Sequence, residues 1–178
     1  MAGDIVTAEN LAGERAAEGA ASEFTELYEA HYAAVYRAAL RVTGNHADAE
    51  DALQMVFLRI FGTLAQGREL PDARNPEAWF RRAACNAAID ILRRRAARAE
   101  TGIDDAALKP AAKPDALLKE QLRRAIAALD AEDAELFLLR YVEGFSNGEI
   151  ADIFRLEKNN VTVRLHRIRQ ALQKEIER

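Results

Sequence analysis

Residues 146–154, SNGEIADIF, and residues 159–168, NNVTVRLHRI, decide how the second half of the chain folds. Ser146 and Glu149 have the spacing of a capping box, in which a hydroxyl and a carboxylate each satisfy a backbone N–H at a helix start. The apolar residues that follow predict a short helix that ends at Phe154.

A tight connection from Arg155 to Lys158 then leads into a longer basic helix, which we expect Asn159 or Asn160 to cap. A short capped helix, a turn of three or four residues and a longer helix make a helix-turn-helix. In this motif the first turns of the second helix reach base edges in the major groove. The polar and basic side chains there indicate a nucleic-acid interface.

Two further helices precede this motif, one over about residues 115–129 and one that Asp130 caps and that ends near Glu143. Residues 99–114 have no apolar period and contain two prolines, which predicts a flexible linker. The second domain is therefore expected to cover residues 115–178.

Residues 22–98 are expected to form a three-helix domain. Ser22 has the character of an N-cap, and the helix it begins should end before Gly44. Asn45 should cap the second helix, with acidic residues in its first turn. The buried stripe of that helix is expected to be Ala49, Leu53, Val56, Phe57 and Ile60.

The third helix of this domain should follow a loop over residues 62–74, which holds two glycines and a proline. Asn75 followed by Pro76 is a favourable helix start, because the amide can cap and proline suits the first helical position. The helix should run to about Arg98. The chain is thus predicted to be all-α, with two small helical domains joined by a linker.

The composition excludes several classes of protein. No apolar stretch is long enough for a membrane span, and residues 1–21 lack a signal-peptide pattern, so we expect a cytoplasmic protein and no membrane insertion. Those 21 residues are small and acidic, which predicts a disordered tail. The single Cys85 is expected to be a buried core residue.

The charge is unevenly distributed although the net charge is -4. Residues 79–99 carry six arginines against one acid, and residues 155–178 carry seven bases against three acids. Two basic segments in an acidic chain suggest two phosphate contacts that are weak alone. Two solvated helix faces would give the same pattern.

The third helix places a mixed group of side chains on one arc of about 120°. Arginine binds phosphate, an amide can hydrogen-bond a base edge, and tryptophan can stack on an unpaired base. A solvated face whose tryptophan packs at the boundary is the alternative. The arc contains Trp79, Arg82, Asn86, Asp90, Arg93 and Arg94.

The second helix has an unusual face opposite its buried stripe, formed by Asp51, Gln54, Met55 and Leu58. Two apolar side chains among polar neighbours suggest a surface that binds a partner, although a half-exposed leucine is also common in ordinary helices.

Catalytic and metal chemistry have no visible basis in the sequence. His31, His46 and His166 are scattered, and none has a cysteine or carboxylate at ligand spacing. No nucleophile–base pair and no phosphate-binding glycine loop stands out. We expect no enzyme, no metal and no cofactor.

Four segments together resemble a known family. They are DAEDALQMVFLRIF (48–61), NPEAWFRRAACNAAIDILRRR (75–95), LFLLRYVEGFSNGEIADIF (136–154) and VTVRLHRIRQAL (161–172). They are similar to conserved regions two and four of the extracytoplasmic-function (ECF) sigma factors, within the bacterial sigma-70 family. The resemblance implies a subunit that binds core RNA polymerase and reads the −10 and −35 promoter elements.

The resemblance also implies a role for particular residues. The clamp coiled coil of the largest polymerase subunit would bind Asp48, Asp51, Gln54, Met55 and Leu58. The −10 element would be contacted by Arg74, Asn75, Trp79, Arg82, Asn86 and Arg93. The −35 element would be contacted by Arg140, Asn159, Asn160, Thr162, Val163, Arg164, His166 and Arg167. An anti-sigma protein would be a further partner.

The sequence departs from the family pattern at two places. Arg155 stands where the family usually has a turn glycine, so the helix-turn-helix geometry is expected to be strained or altered. Residues 159–163, NNVTV, stand where the family usually has Gly-Thr-Val-Lys-Ser. A basic residue and a hydroxyl are lost, which affects the expected −35 specificity.

Two other functions fit parts of the sequence. A stand-alone regulator would use only the helix-turn-helix, but an acidic chain with one such motif is poorly suited to tight binding as a monomer. A decoy that only binds an anti-sigma protein would not need Arg82, Asn86, Arg93–Arg95, Arg164 and Arg167.

The charge distribution gives a first prediction. The isolated chain should bind promoter duplex weakly at physiological salt, and core polymerase should supply the missing affinity, because few phosphate contacts are available and the net charge is negative. Fluorescence anisotropy with and without core polymerase measures this. Tight, sequence-specific binding by the chain alone would favour the regulator.

Overall fold

A computed structural model describes residues 2–70, 75–100 and 114–177. Every regular element within these ranges is a helix, which confirms the all-α class. None of these helices is both long and apolar enough to cross a membrane. The helices are α1 (Ala2–Thr43), α2 (His46–Ala65), α3 (Pro76–Glu100), α4 (Pro114–Ala128), α5 (Ala131–Tyr141), α6 (Asn147–Phe154) and α7 (Lys158–Ile176). We call α1–α3 the first unit and α4–α7 the second unit.

The first helix is longer than expected. α1 begins at Ala2, so the segment predicted to be a tail continues into the first helix and Ser22 lies inside that helix. This segment is rich in alanine and glutamate and has no proline, so its residues favour a helix even without a hydrophobic stripe. Adding turns to an existing helix also avoids the cost of starting a new one.

The turn between α1 and α2 follows the prediction. Gly44 has a φ of 75°, which favours glycine, and its N–H donates to the Leu40 carbonyl oxygen at 2.9 Å. Asn45 caps α2, because its Oδ1 accepts from the backbone N–H of Asp48 at 2.8 Å. The loop expected from residue 62 begins too early, since α2 continues to Ala65. Burial of the Leu64 side chain favours this extension of α2.

The third helix begins where the sequence indicated, with the Ala78 N–H donating to Asn75 Oδ1 at 3.1 Å. The two sides of α3 pack into different hydrophobic clusters. One side packs with α1 and α2 through Phe80, Ala84, Ala87 and Ile91. The other side packs with the second unit through Cys85, Ala88, Ile89 and Leu92. This two-sided burial explains why α3 is apolar around most of its circumference and confirms Cys85 as a core residue.

The ends of the predicted linker are helical. Ala99 and Glu100 belong to α3, and Pro114 is the first residue of α4. The remainder of the linker, residues 101–113, lies outside the described residues, as do residues 71–74 of the predicted loop.

Side-chain caps define the start of two helices in the second unit. Asp130 Oδ1 accepts from the Asp133 N–H at 2.9 Å and caps α5. At α6 the Glu149 N–H donates to Ser146 Oγ at 3.2 Å and the Ser146 N–H donates to Glu149 Oε2 at 2.8 Å, so the capping box is confirmed. The prediction that Asn159 or Asn160 is the N-cap of the last helix is wrong.

The last helix starts two or three residues earlier than the asparagines suggested. Glu157 occupies its N-cap position without a side-chain hydrogen bond, so Asn159 and Asn160 lie in the first turn of α7. At the start of α7, core packing outweighs side-chain capping by asparagine, because the earlier start lets Val161 and Leu165 enter the core.

Arg155 forms the turn of the helix-turn-helix in a conformation that favours glycine. Its φ of 53° and ψ of 44° are left-handed, and the following Leu156 N–H donates to the Ala151 carbonyl oxygen at 2.9 Å. The turn therefore keeps the geometry that a glycine would give, at the cost of backbone strain.

Replacing this residue should relieve that strain. Arg155→Gly is expected to raise the free energy of unfolding by about 0.5–1 kcal/mol, because glycine has no Cβ to clash in the left-handed region. Urea unfolding followed by circular dichroism measures the change. Asp152→Gly is the matched control inside the exposed part of α6, and it should lower the same free energy by about 1 kcal/mol. Equal losses in both variants would contradict the proposed strain.

Candidate nucleic-acid and partner-binding surfaces

The face of α2 predicted to bind a partner is largely exposed. Asp51, Gln54 and Leu58 follow one another at intervals of three and four residues, and all three side chains are exposed. Leu58 is 69% exposed, the largest exposed fraction among the large apolar side chains that the structure describes. Met55 is half-buried beside this stripe, where its Sδ accepts from Arg94 Nη2 at 2.9 Å. An exposed apolar side chain beside polar ones suits a docking contact.

We predict Asp48 to belong to this face, but its carboxylate forms contacts within the first unit. Its carboxylate accepts a hydrogen bond from Asn45 Nδ2 and forms an ion pair with Arg95 Nη1 at 3.2 Å. Asp48 thereby ties the start of α2 to the last turns of α3.

Three of the residues assigned to the −10 element lie at the start and on one side of α3. Asn75 caps the helix, and Trp79 is half-buried with its ring edge-on to Phe80 at a centroid distance of 5.2 Å. Asn86 is half-buried two turns further along the helix. Arg74, also assigned here, lies outside the described residues. The packing of Trp79 favours the alternative in which its ring closes the edge of the core.

Arg82 and Arg93, the two described cations of this predicted interface, bind the second unit. Arg82 Nε donates to the Glu135 carboxylate, and its guanidinium lies over the Phe154 ring at 5.2 Å. Arg93 donates to the backbone carbonyl oxygens of Ala127 at 3.3 Å and Leu129 at 2.8 Å. The conformation described here therefore directs both guanidinium groups toward protein acceptors.

The first turns of α7 present an exposed face opposite the core. At 100° per residue, Asn159, Val163 and His166 project away from the buried Val161 and Leu165. Val163 is 44% exposed. Asn160, Thr162 and Arg167 flank this face and are exposed as well.

Thr162 lies on the side of α7 that faces α6. Its hydroxyl donates to the Lys158 carbonyl oxygen at 3.1 Å and accepts from Asn147 Nδ2 at 2.9 Å. These bonds fix the angle between the two helices of the motif, whereas Val163 remains free of such local contacts on the outer face.

The arginines Arg140 and Arg164 hold the second unit together. Arg140 Nη1 donates to the Phe145 carbonyl oxygen at 3.2 Å, within the turn before α6. Arg164 bonds the Asp133 carboxylate, pairs with Glu132 at 2.8 Å and lies 3.9 Å from Asp130. The hydrogen bond to Glu132 is the main reason that the pKa of Arg164 is raised.

The acidic residues around Arg164 also perturb each other. Burial raises the pKa of Asp133 above its ordinary value, whereas backbone hydrogen bonds at the α5 N-terminus lower the pKa of Asp130. Arg164 compensates both carboxylates, so it connects α7 to the first turn of α5.

Sequence reasoning missed two kinds of residue. Lys158 and Arg169 are exposed cations on α7, and only their helical register could have grouped them with the recognition surface. Glu135 and Glu143 are buried carboxylates in an otherwise apolar stretch, which was a sign of ion pairs. Within the described ranges no group of histidine, cysteine or acidic residues is arranged to hold a metal ion.

The fold defines a class of protein: an all-helical, DNA-directed chain whose second unit contains a helix-turn-helix. Residues 27–98 match the model of sigma-70 region 2, and residues 119–172 match the model of sigma-70 region 4. The chain belongs to the ECF sigma factors of the sigma-70 family.

Several curated relatives agree with this assignment. The chain is 34% identical over 169 residues to the ECF RNA polymerase sigma factor SigL of Mycobacterium tuberculosis, covering 91% of this chain and 92% of SigL. It is 33% identical over 158 residues to the RNA polymerase sigma factor CarQ of Myxococcus xanthus, covering 86% and 89%. Identity to the ECF sigma factor SigE of Mycolicibacterium smegmatis is 32% over 163 residues, which span 87% of this chain but only 62% of SigE.

The contacts of Arg164 lead to a prediction about stability. Arg164→Ala should lower the free energy of unfolding by about 1–2 kcal/mol, because it leaves neighbouring carboxylates without their shared cation. Arg167→Ala, a matched change on the exposed side of the same helix, should alter it by less than about 0.5 kcal/mol. Thermal unfolding of both variants gives the comparison, and equal effects would contradict a structural role for Arg164.

Proposed function

We propose that this chain docks on the clamp coiled coil of the largest subunit of RNA polymerase through the exposed face of α2 and reads promoters through α3 and α7. The observation that carries the docking proposal is Leu58, whose side chain is 69% exposed on the same face as Asp51 and Gln54. Met55 and Asp48 would support this surface from its edges.

For the −10 element we propose a contact centred on Asn86, with Asn75 and the residue before it, Arg74, at the entrance to the helix. An amide can form the paired hydrogen bonds that distinguish one base edge from another. Arg82 and Arg93 would add phosphate contacts, for which both side chains must leave their acceptors in the second unit.

For the −35 element we propose that Asn159, Val163 and His166 face the major groove, with Asn160 and Arg167 beside them. This assignment is supported by their exposure opposite the core of the second unit. Thr162 would act by setting the angle between α6 and α7. Arg140 and Arg164 would stiffen the unit, because each donates a hydrogen bond within it.

The remaining expectations follow from this role. Residues 22–98 and 115–178 would act as separate domains, joined by residues 99–114. The first turns of α1 would extend the first domain. An anti-sigma protein is proposed as the regulating partner, since the resemblance to ECF sigma factors implies one. A protein that works with core polymerase on DNA is expected in the cytoplasm.

Run-off transcription tests the proposal. Core polymerase should start transcription at a selected promoter only when the chain is added. Promoter fragments from a randomised −10 and −35 library, selected with the reconstituted holoenzyme, supply the template. Failure to stimulate core polymerase, together with tight promoter binding by the chain alone, would favour a stand-alone regulator.

The docking face gives a specific prediction. Leu58→Asp should weaken co-purification with core polymerase by at least about ten-fold, because a charge placed in an apolar contact loses its hydration. Folding should be retained, since Leu58 lies outside both hydrophobic clusters. Ala33→Asp adds the same charge at an exposed position of α1 and is the control. Equal retention of both variants would show that α2 is wrongly assigned.

A further inference from the structure

A groove of about 520 Å³ lies between the end of α1 and one face of α4 and α5. Its volume falls within the range of about 300–1,000 Å³ that is typical of small-molecule sites. The residues that line it belong to these three helices or directly follow α1 and α5. The groove is therefore separate from the docking and DNA-reading surfaces proposed on α2, α3 and α7.

The walls of the groove are largely apolar and come from three helices. Leu40 of α1, Leu122 of α4 and Phe137 of α5 are each half-buried, so part of each side chain remains uncovered. Val142, directly after α5, is half-buried in the same groove. An apolar ligand that filled the groove would remove the uncovered parts of these side chains from water, which favours binding.

One face of α4 forms a regular stripe along the groove. Ala116, Lys119, Leu122 and Ile126 follow one another at intervals of three and four residues, so they lie on the same side of the helix. Ala116 and Lys119 are exposed, whereas Ile126 is buried. The groove therefore changes along α4 from an open end that carries a cation to a covered end that is apolar.

The charged side chains that line the groove are cations. They are Arg41, Lys119 and Arg123, and none of the other lining residues that the structure describes is acidic. This composition is unexpected in a chain with a net charge of -4. Apolar walls with only positive charges beside them are complementary to a molecule that has an alkyl chain and one anionic group.

Two of these cations are held in place by the protein. Arg41 pairs with Glu143 at 2.5 Å. Arg123 donates to the Val42 carbonyl oxygen at 3.1 Å, and its guanidinium lies against Gly44, where a Cβ would overlap it. Both guanidinium groups thus contribute fixed positive charge to the groove.

Lys119 is the cation best able to bind a ligand. Its side chain is exposed and forms no ion pair with any residue in the described ranges. The ammonium group has several donors on a flexible stem, so it can reach an anionic group at the open end of the groove. Arg123 follows one turn later on the same face of α4 and adds its charge beside it.

We propose that this groove binds a free single-chain carboxylate of the fatty-acid type. The carboxylate pairs with Lys119 at the open end, and the alkyl chain lies against Leu40, Leu122 and Phe137. The ligand contacts helices of both units, because α1 belongs to the first and α4 and α5 belong to the second. This position between packed helices favours a free molecule over a lipid that stays in a membrane.

Isothermal titration calorimetry of the full chain with dodecanoate, below its micelle concentration, tests this site. One molecule should bind per chain with micromolar affinity. Octanoate should bind at least about ten-fold more weakly, because its shorter chain buries fewer methylene groups. Dodecyltrimethylammonium, which has the same chain with the opposite charge, should also bind at least about ten-fold more weakly.

A charge reversal on α4 tests the position of the carboxylate. Lys119→Glu should weaken dodecanoate binding by about ten-fold or more, because the favourable charge is replaced by a repulsive one. Lys174→Glu makes the same change at an exposed position of α7 outside the groove and should leave the affinity within about two-fold of wild type. Both side chains are exposed, so both variants should fold, which circular dichroism checks.

Several results would overturn the proposal. They are the absence of dodecanoate binding by the wild-type chain, equal affinities in the two charge-reversal variants, and equal binding of dodecyltrimethylammonium. Many dodecanoate molecules bound per chain, with no effect of Lys119→Glu, would indicate general detergent-like association and would overturn it as well. Co-sedimentation with phosphatidylglycerol vesicles, without dodecanoate binding in solution, would contradict a free ligand and point to a membrane lipid.

Discussion

The burial of the Glu143 carboxylate is the constraint on which the arrangement of the two units depends. A charge with no access to water is tolerated only if nearby charges and donors compensate it. Arg41 and Arg81 provide that compensation, and they come from two helices of the first unit. The end of α5 is therefore fixed against α1 and α3 together, and the remaining inter-unit contacts form around this point.

This constraint explains why α3 has no single buried face. Phe80 and Ala84 complete the first unit, while Cys85 and Ile89 belong to the cluster shared with the second unit. Two arginines on its remaining surface bind the second unit: Arg82 donates to the Glu135 carboxylate and Arg93 to the carbonyl oxygens of Ala127 and Leu129.

Local chemistry in the sequence predicted most of the fold. The caps at Asn45 and Asp130 and the capping box at Ser146 were correct, since each depends on residues within one turn of each other. The exposure of Leu58 also followed from helical register. The start of α7 was wrong because core packing outweighs capping propensity there. The hydrogen bond from Arg82 to Glu135 joins residues 53 positions apart, and no local sequence pattern indicates such a pair.

Two structural requirements, one of the backbone and one of the side chain, apply to Gly44. Its positive φ ends α1, and its missing side chain leaves the space that Arg123 of α4 occupies. Any other residue there would strain the corner between α1 and α2 and also displace an arginine nearly eighty positions away in the sequence. A residue that looks like an ordinary helix terminator therefore also forms part of the contact with the second unit.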